Sequence, residues 1–416
     1  MKFLAILLLQ ILLGWLVIQI VLMLIFVFYL YSNKVKSFSN NQLPKTAVIL
    51  CLRGTDPFLP NCLRAILQQD YPQYDLKIVV DSEEDPAWRV AQDTVADATN
   101  VQISPLKIAS TACSLKCSSL VQAVSELDSS YQVVAFLDAD TVVHPTWLRE
   151  LVTPLMHPKI GATTGNRWYL SQGRYWGTLV RYLWNISAVI QMYLYGICWG
   201  GTLAIKTQVI HQTRMLDKWS RAYGEDTMVQ SILAKYGFKV KFVPSLLILN
   251  REECTLLRLM NWMKRQLLSS RLYHPQWWLV VVEAGFSILL PNLILGLILL
   301  NFFFGEWDIS AILFSYYSIY ILGLFLITNF LEITVRKLIF HGRIMPKISA
   351  KLLIKTLIGI PLTHWFYGFA LLSSMTISKV SWRNIVYRIK GPFNIQLTEY
   401  HPYQSDNQTG DNQISL

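Results

Sequence analysis

At 416 residues, 53% of them hydrophobic and only 15% charged, the chain carries more apolar side chain than a single soluble core requires. Its formal charge of +11 is not spread as a basic stripe: Lys34 and Lys36, Lys264 and Arg265, and Arg336, Lys337, Arg343, Lys347 and Lys351 all flank apolar stretches. That pattern fits anionic lipid headgroups or an anionic substrate and argues against a nucleic-acid partner.

Six cysteines are present without a CxxC. Cys113 and Cys117 are spaced CxxxC with no histidine cluster nearby, which favours reduced thiols in a cytosolic setting over a disulfide or metal site.

Residues Phe3 to Tyr31 carry no charge. They exceed the roughly 20 residues a helix needs to cross a bilayer, and no small-residue cleavage site follows, so residues 1–33 are expected to be an uncleaved transmembrane anchor.

Residues 40–250 then alternate apolar runs with polar segments, as a globular domain does. Thr46–Leu52 is a continuous apolar run, the mark of a strand buried on both faces. The turn Arg53-Gly54-Thr55-Asp56-Pro57 follows, then helical spacing from Asn61 to Gln69. Leu76–Val80 is a second strand ending at Asp81, and Asp85-Pro86 opens a helix that runs to about Ala96. Val101–Ile103, a helix around Leu115–Leu127 and the strand Val133–Leu137 continue the pattern. Strand–helix alternation of this pitch implies an α/β domain with a doubly wound, mostly parallel sheet. No Gly-rich phosphate loop or GxGxxG follows the first strand, so neither the usual NTPase cradle nor a dinucleotide site is supported.

The strand ending at Leu137 delivers Asp138 and Asp140 to the carboxyl edge of the sheet, where open α/β folds bind ligands. Two carboxylates that close repel each other unless a cation intervenes, and a divalent metal bridging a phosphate is the usual resolution. An Asp-rich turn after a strand has the same local pattern, so the pair gains meaning only from the rest of the chain.

Trp168–Trp199 carries only Arg174 and Arg181 as charges and reads as an amphipathic helix pressed on the membrane or the domain core. Gly200 and Gly201 precede the strand-like Thr202–Lys206, where the bare backbone serves equally a simple tight turn or the close approach of a ligand. Glu225 and Asp226 stand before the helix-like Val229–Ala234, and Asp226 alone could equally be an N-terminal cap.

Residues 251–275 form a basic, aromatic amphipathic stretch expected to lie in the headgroup plane, holding Lys264, Arg265 and Gln266 near the domain's edge. Within 276–378, the apolar stretches Trp278–Phe304, Ile309–Leu331 and Leu352–Met375 are transmembrane or re-entrant candidates. The loop Gly305–Asp308 has acids and no base, which suits the face opposite the basic loops.

Three full crossings would put the 379–416 polar tail on that opposite face. Yet the tail opens with Lys379, Arg383, Arg388 and Lys390. Leu352–Met375, interrupted by Pro361 and His364, is therefore the stretch expected to be re-entrant or interfacial. Glu283 is an acid inside an apolar run, either functional or reaching the interface.

Taken together, Asn61-Cys62-Leu63-Arg64, Gln69-Asp70-Tyr71-Pro72 and Val80-Asp81-Ser82-Glu83-Glu84-Asp85-Pro86-Ala87 carry a recognisable pattern. The chain resembles the membrane-bound family 2 glycosyltransferases with a GT-A (nucleotide-diphospho-sugar transferase) fold, in their ceramide glucosyltransferase-like branch. Lys116 ahead of Ser118-Ser119-Leu120 and the tail segment Trp382-Arg383-Asn384 also resemble motifs of that group.

The resemblance implies a multi-pass membrane enzyme with a cytoplasmic catalytic domain. It would move a hexose, glucose foremost, from a UDP-sugar to a lipid hydroxyl with Mg²⁺ or Mn²⁺ as cofactor. It implies Asp226 as general base and Asp140 as metal ligand. Asp81, Lys116, Asp138, Gly200, Gly201 and Glu225 would lie around the nucleotide-sugar, with Arg265 and Gln266 on the diphosphate and acceptor side. The alternative is a processive polysaccharide synthase of the cellulose, hyaluronan or chitin type. The chain departs from the pattern where Gln266-Leu267-Leu268 is followed by Ser269-Ser270 instead of Arg-Trp, the next arginine being Arg271.

Overall fold

The computed structural model describes residues 2–32, 39–96, 98–171, 173–340 and 345–403. Lys34, Lys36, Arg343 and the tail beyond residue 403 lie outside them.

Seven strands form the central sheet: β1 Thr46–Leu52, β2 Tyr74–Val80, β3 Val101–Pro105, β4 Val133–Leu137, β5 Ile160–Tyr169, β6 Thr202–Lys206 and β7 Lys239–Asn250. Their order is β3-β2-β1-β4-β6-β5-β7. The pairs β1–β2, β2–β3, β1–β4 and β5–β7 are parallel, while β6 runs antiparallel to both neighbours. The sheet is therefore mixed and mostly parallel, as the strand–helix alternation implies.

Strand order reverses between β1 and β4, and a crevice opens at their carboxyl ends. Side chains alternate across β1: Val48, Leu50 and Leu52 join one core, with Trp147 and Leu63, while Ile49 joins another, with Phe136 and Trp219.

The helices are α1 Lys2–Ser32, α2 Leu59–Leu67, α3 Pro86–Val95, α4 Leu115–Ser125, α5 Trp147–Val152, α6 Trp176–Tyr195, α7 Thr207–Gln212, α8 Met215–Trp219 and α9 Val229–Lys235. After the sheet come α10 Leu256–Tyr273, α11 Trp277–Ala284, α12 Leu290–Phe303, α13 Trp307–Leu338 and α14 Ala350–Thr376. Local chemistry sets their starts: the Asp85 side chain accepts from Ala87 N–H at α3, and Ser114 accepts from Cys117 N–H at α4. Residues Gly285–Leu289 form a π-helical turn that joins α11 to α12. All six cysteines are free.

Among the described residues, four helices are long and apolar enough to cross a membrane: Ala5–Ser32, Trp277–Phe303, Trp307–Leu338 and Ala350–Thr376. Their outward faces carry exposed Phe28, Phe303, Phe314, Leu326 and Phe369, as lipid-facing surfaces do. α1 packs closely on α13, where a Cβ on Gly323 would lie 2.7 Å from Leu16.

α14 behaves differently from the other three. Near its start Lys355 Nζ donates to the Gly173 carbonyl at 2.6 Å, in the loop between β5 and α6. At its other end Arg271 of α10 donates to the carbonyls of Ser374, Met375 and Ile377. Both ends are thus tied to segments that flank the sheet. α6 is likewise pinned at both ends, Gly177 lying against the Cys254–Thr255 backbone and Gly196 against Gln230 and Val240. Of the stretch Trp168–Trp199, the first two residues end β5, and the amphipathic helix itself is α6.

Two buried charged groups fasten the helical layer to the sheet. Arg181 of α6 pairs with Glu252 at 2.8 Å and sits 4.1 Å from the Tyr169 ring centroid. Glu332 of α13 accepts from Trp168 Nε1 at 2.9 Å and Tyr182 OH at 3.1 Å, and Arg336 lies 2.6 Å away.

A second, three-stranded antiparallel sheet follows α14: β8 Lys379–Trp382, β9 Ile385–Gly391 and β10 Asn394–Tyr400. It packs through Val380, Ile385 and Tyr387 on Leu115 and Leu268. Leu397 N–H donates to the Thr111 carbonyl at 2.8 Å.

Candidate active site

The crevice at the strand ends is a cavity of about 310 Å³ lined by Asp81, Lys116, Asp138, Asp140, Glu225, Asp226, Arg265 and Gln266. Eight of the ten residues singled out from sequence therefore meet in one pocket, although they span β2 to α10.

Lys116, at the start of α4, is the electrostatic centre. Its Nζ lies 2.7 Å from Asp138 Oδ1 and 2.6 Å from Glu225 Oε1. Burial opposes its charge, but the two carboxylates outweigh that cost and hold its ammonium protonated well above the usual lysine range. Asp138 shows the converse balance. Burial raises its carboxyl, and the Lys116 charge more than reverses that, holding it below the ordinary value.

The remaining two singled-out residues, Gly200 and Gly201, make this closeness possible. A Cβ on Gly200 would lie 2.2 Å from Glu225 Oε1, and one on Gly201 would lie 2.2 Å from the Trp199 ring and 2.8 Å from Asp138 Oδ2. Their bare backbones admit the protein's own carboxylates and Trp199, where sequence reasoning had pictured a ligand at close approach.

Asp140 is the uncompensated acid. Its only hydrogen bond among the described residues is from Thr141 Oγ1 at 3.2 Å. Burial, then the charges of Asp138 and Asp56, push its carboxyl up to about 6. A group in that state gains from a cation, so the donor set suits a divalent metal whose coordination a diphosphate would complete. Among the described residues, no group of three or more His, Cys, Asp or Glu side chains is arranged to hold a metal alone.

Asp226 is not a helix cap. Residue Met228 occupies the cap position of α9, and the Asp226 side chain is turned to the site. Its Oδ2 accepts from Gly200 N–H at 2.9 Å and its Oδ1 from Thr227 N–H at 2.6 Å. Thr227 Oγ1 lies 3.2 Å from Ser269 Oγ, so one of the serines that replace Arg-Trp braces the loop carrying Asp226. Arg271, the next arginine, holds the end of α14 and does not line the cavity.

Asp81 stands at the far end of the pocket. Its Oδ2 accepts from Arg53 Nη1 and from Tyr400 OH, while its Oδ1 is buried with no hydrogen-bond partner among the described residues. An orphaned carboxylate oxygen facing a pocket is ready to accept from a ligand N–H.

Sequence reasoning missed Arg53, Arg167, Trp199 and Trp262. Arg53 had a signal. It follows β1 as Asp81 follows β2, and Leu52 and Val80 are register partners. Arg167, on β5, is enclosed by Trp199 and Trp262, each 5.2 Å from its guanidinium, and donates to Gln266 Oε1 at 3.3 Å. Nothing local in the sequence marks it.

A second cavity, of about 250 Å³, opens on the other side of Asp226. Its walls come from α6, α10, α11, α13 and α14, with Gln19 and Leu22 of α1, and are mainly apolar: Leu183, Ile186, Leu324, Ile327 and Ile360. Glu283 lines it, paired with Gln191 Nε2. The acid inside the apolar run is thus a cavity-wall residue. Asp226, Arg167, Trp199, Trp262, Gln266 and Ser269 line both cavities.

A polar pocket at the switch point of a mixed sheet, carrying two acids after β4 and a further carboxylate at Asp226, suits a nucleotide-sugar glycosyltransferase of GT-A fold. The model of glycosyl transferase family 21 matches residues 14–392, and the chain belongs to that family, the ceramide glucosyltransferase family.

A ceramide glucosyltransferase from Komagataella phaffii is 28% identical over 98 residues, a match covering 22% of this chain and 19% of that relative. Among solved structures, a mannosyltransferase from Pyrobaculum calidifontis, in complex with GDP-Man and Mn²⁺, aligns with TM-score 0.50 at 12% identity. That alignment covers 89% of this chain and 99% of the other, and it shows the shared fold. Glucosyl-3-phosphoglycerate synthase from Mycobacterium tuberculosis, solved with Mn²⁺ and uridine-diphosphate, aligns at 13% identity and TM-score 0.37 over 57% of this chain and 85% of that one.

Proposed function

We propose that this enzyme is an inverting hexosyltransferase that moves glucose from UDP-glucose to the hydroxyl of a ceramide-like lipid. The observation that carries the reading is the position of Asp226, in the wall between a charged pocket and an apolar cavity. One carboxylate is therefore accessible to a nucleotide-sugar from one side and to a lipid headgroup from the other.

In this reading Asp81 Oδ1 takes an N–H of the uracil, and Lys116 with Asp138 and Glu225 frames the sugar-diphosphate. Arg167 and Arg265 face its negative charge. The acceptor hydroxyl is a weak nucleophile until Asp226 removes its proton as the new bond to the anomeric carbon forms. The bond to the diphosphate breaks with its electron pair leaving on UDP, so no covalent enzyme intermediate is needed. A Mg²⁺ or Mn²⁺ ion, held by Asp140 together with the diphosphate, would neutralise charge on the leaving group. Gly200 N–H and Thr227 N–H keep Asp226 aimed, and the aromatic walls exclude water from the transfer.

The same reading orders the membrane segments. α1, the α11–α12 unit and α13 cross the bilayer, whereas α14, tied at both ends to the catalytic side, lies in the interface with α6 and α10. Three crossings put the catalytic domain and the basic tail on one face, the cytoplasmic one by the distribution of Lys and Arg. The parity conflict in the sequence is thereby removed.

The test supplies membranes containing the protein with a panel of labelled UDP-sugars and analyses the lipid extract by thin-layer chromatography. Label from UDP-glucose in a single new lipid band is expected. A high-molecular-weight product insoluble in organic solvent would replace this reading with the polysaccharide synthase alternative.

A further inference from the structure

The turn joining β8 to β9 lies 330 residues beyond Arg53, yet it enters the pocket at the ends of β1 and β2. Trp382 and Arg383 line that pocket beside Arg53, Asp56 and Arg265. The Arg383 carbonyl accepts from Arg53 Nε at 3.0 Å and Nη2 at 2.9 Å, and the Arg383 guanidinium donates back to the Arg53 carbonyl. Its Nη2 is 3.8 Å from Asp56 Oδ2.

Arg383 and Asn384 both have left-handed backbones, with φ of 45° and 61°. A two-residue hairpin of this kind ordinarily takes Asn or Gly at both positions. An arginine that tolerates such a backbone is held there by what its head group does.

The charge arrangement says what that is. The Trp382 ring has the Arg265 guanidinium 5.8 Å and the Arg383 guanidinium 5.1 Å from its centroid. Arg265 has no ion-pair partner among the described residues. Burial, with Arg383 and Arg167 nearby, disfavours its charge. A half-buried guanidinium without a carboxylate partner, set beside a second one across the same ring, favours an anion, and planar guanidinium forks suit phosphate oxygens.

We propose that the C-terminal hairpin completes the donor site. Trp382 holds Arg265 and Arg383 as the two arms of a clamp for the diphosphate of the nucleotide-sugar. The clamp rests on the nucleotide-sugar reading above. It supplies from the tail the tryptophan and arginine that α10 lacks after Gln266.

The test is calorimetry on the purified full-length protein with Mg–UDP and with UMP. In the wild type UDP binds more tightly than UMP. In Arg383→Ala the UDP affinity falls about 10- to 100-fold, the range of a charge-assisted hydrogen bond, while UMP falls far less. Arg383→Lys recovers part of the difference. Asn384→Gly, which suits the turn and leaves both side chains in place, retains the wild-type ratio.

Equal losses for UDP and UMP in Arg383→Ala, or no loss for either, would show a strut that merely fastens the tail and would overturn the clamp. Those results leave the donor reading standing. A wild-type protein that binds neither ligand would overturn both.

Discussion

The two cavities that meet at Asp226 are built in opposite ways. The charged pocket is assembled from residues at the ends of adjacent strands, and its side chains are interlocked: Lys116 with Asp138 and Glu225, Arg53 with Asp81. The apolar cavity draws its walls from six helices across the chain, and its lining is mostly apolar, with Glu283 as its acid away from Asp226. A polar ligand in the first is fixed by a few strong, directional contacts. An amphiphile in the second is held by area and shape, each contact being weak. Single substitutions are therefore expected to act steeply on the donor side and gradually on the acceptor side.

The steepest effect is expected at the junction. Asp226→Asn keeps shape but cannot take a proton, so turnover should fall by about 10²- to 10⁴-fold with UDP-sugar affinity nearly unchanged. Paired kinetics and calorimetry check this, and wild-type turnover would remove Asp226 from its role. Next, Asp140→Ala should lower kcat by about 10²-fold or more, and excess EDTA should reproduce that loss in the wild type. Full activity in EDTA would exclude a divalent ion.

Gly200→Ala places a methyl against Glu225 Oε1. It should displace Lys116 and weaken donor binding by about tenfold, in the range expected for overpacking a tight site. On the other side, Ile360→Trp in α14 should raise the acceptor KM a few-fold and leave donor affinity alone. Equal effects of these two variants on both substrates would erase the distinction between the cavities.

The donor half was largely legible in the sequence because each acid ends or follows an apolar run, and strand ends converge in an open α/β sheet. Asp81, Asp138 and Asp140 carry that signal plainly. Gly200 and Gly201 were legible as a close approach, but what approaches is Glu225, Trp199 and Asp138, which no local pattern specifies. Arg167 and Trp262 were invisible, because the contact between β5 and α10 is set by packing over about a hundred residues. The tail was legible as a motif but not as a wall of the pocket. The helices around the apolar cavity were legible one by one from hydropathy and amphipathic pattern. Their arrangement was not, since α14 has the composition of a span yet is hydrogen-bonded at both ends to segments that flank the sheet.

Whether a lipid reaches Asp226 through the apolar cavity is the central question, and a photoactivatable ceramide analogue incorporated with the full-length protein addresses it directly. Labelling mapped by mass spectrometry is expected on α6 and α14 around Leu183 and Ile360, reduced in Ile360→Trp and competed by unlabelled ceramide. Labelling confined to the outward faces of α1 and α13, insensitive to both, would contradict the account.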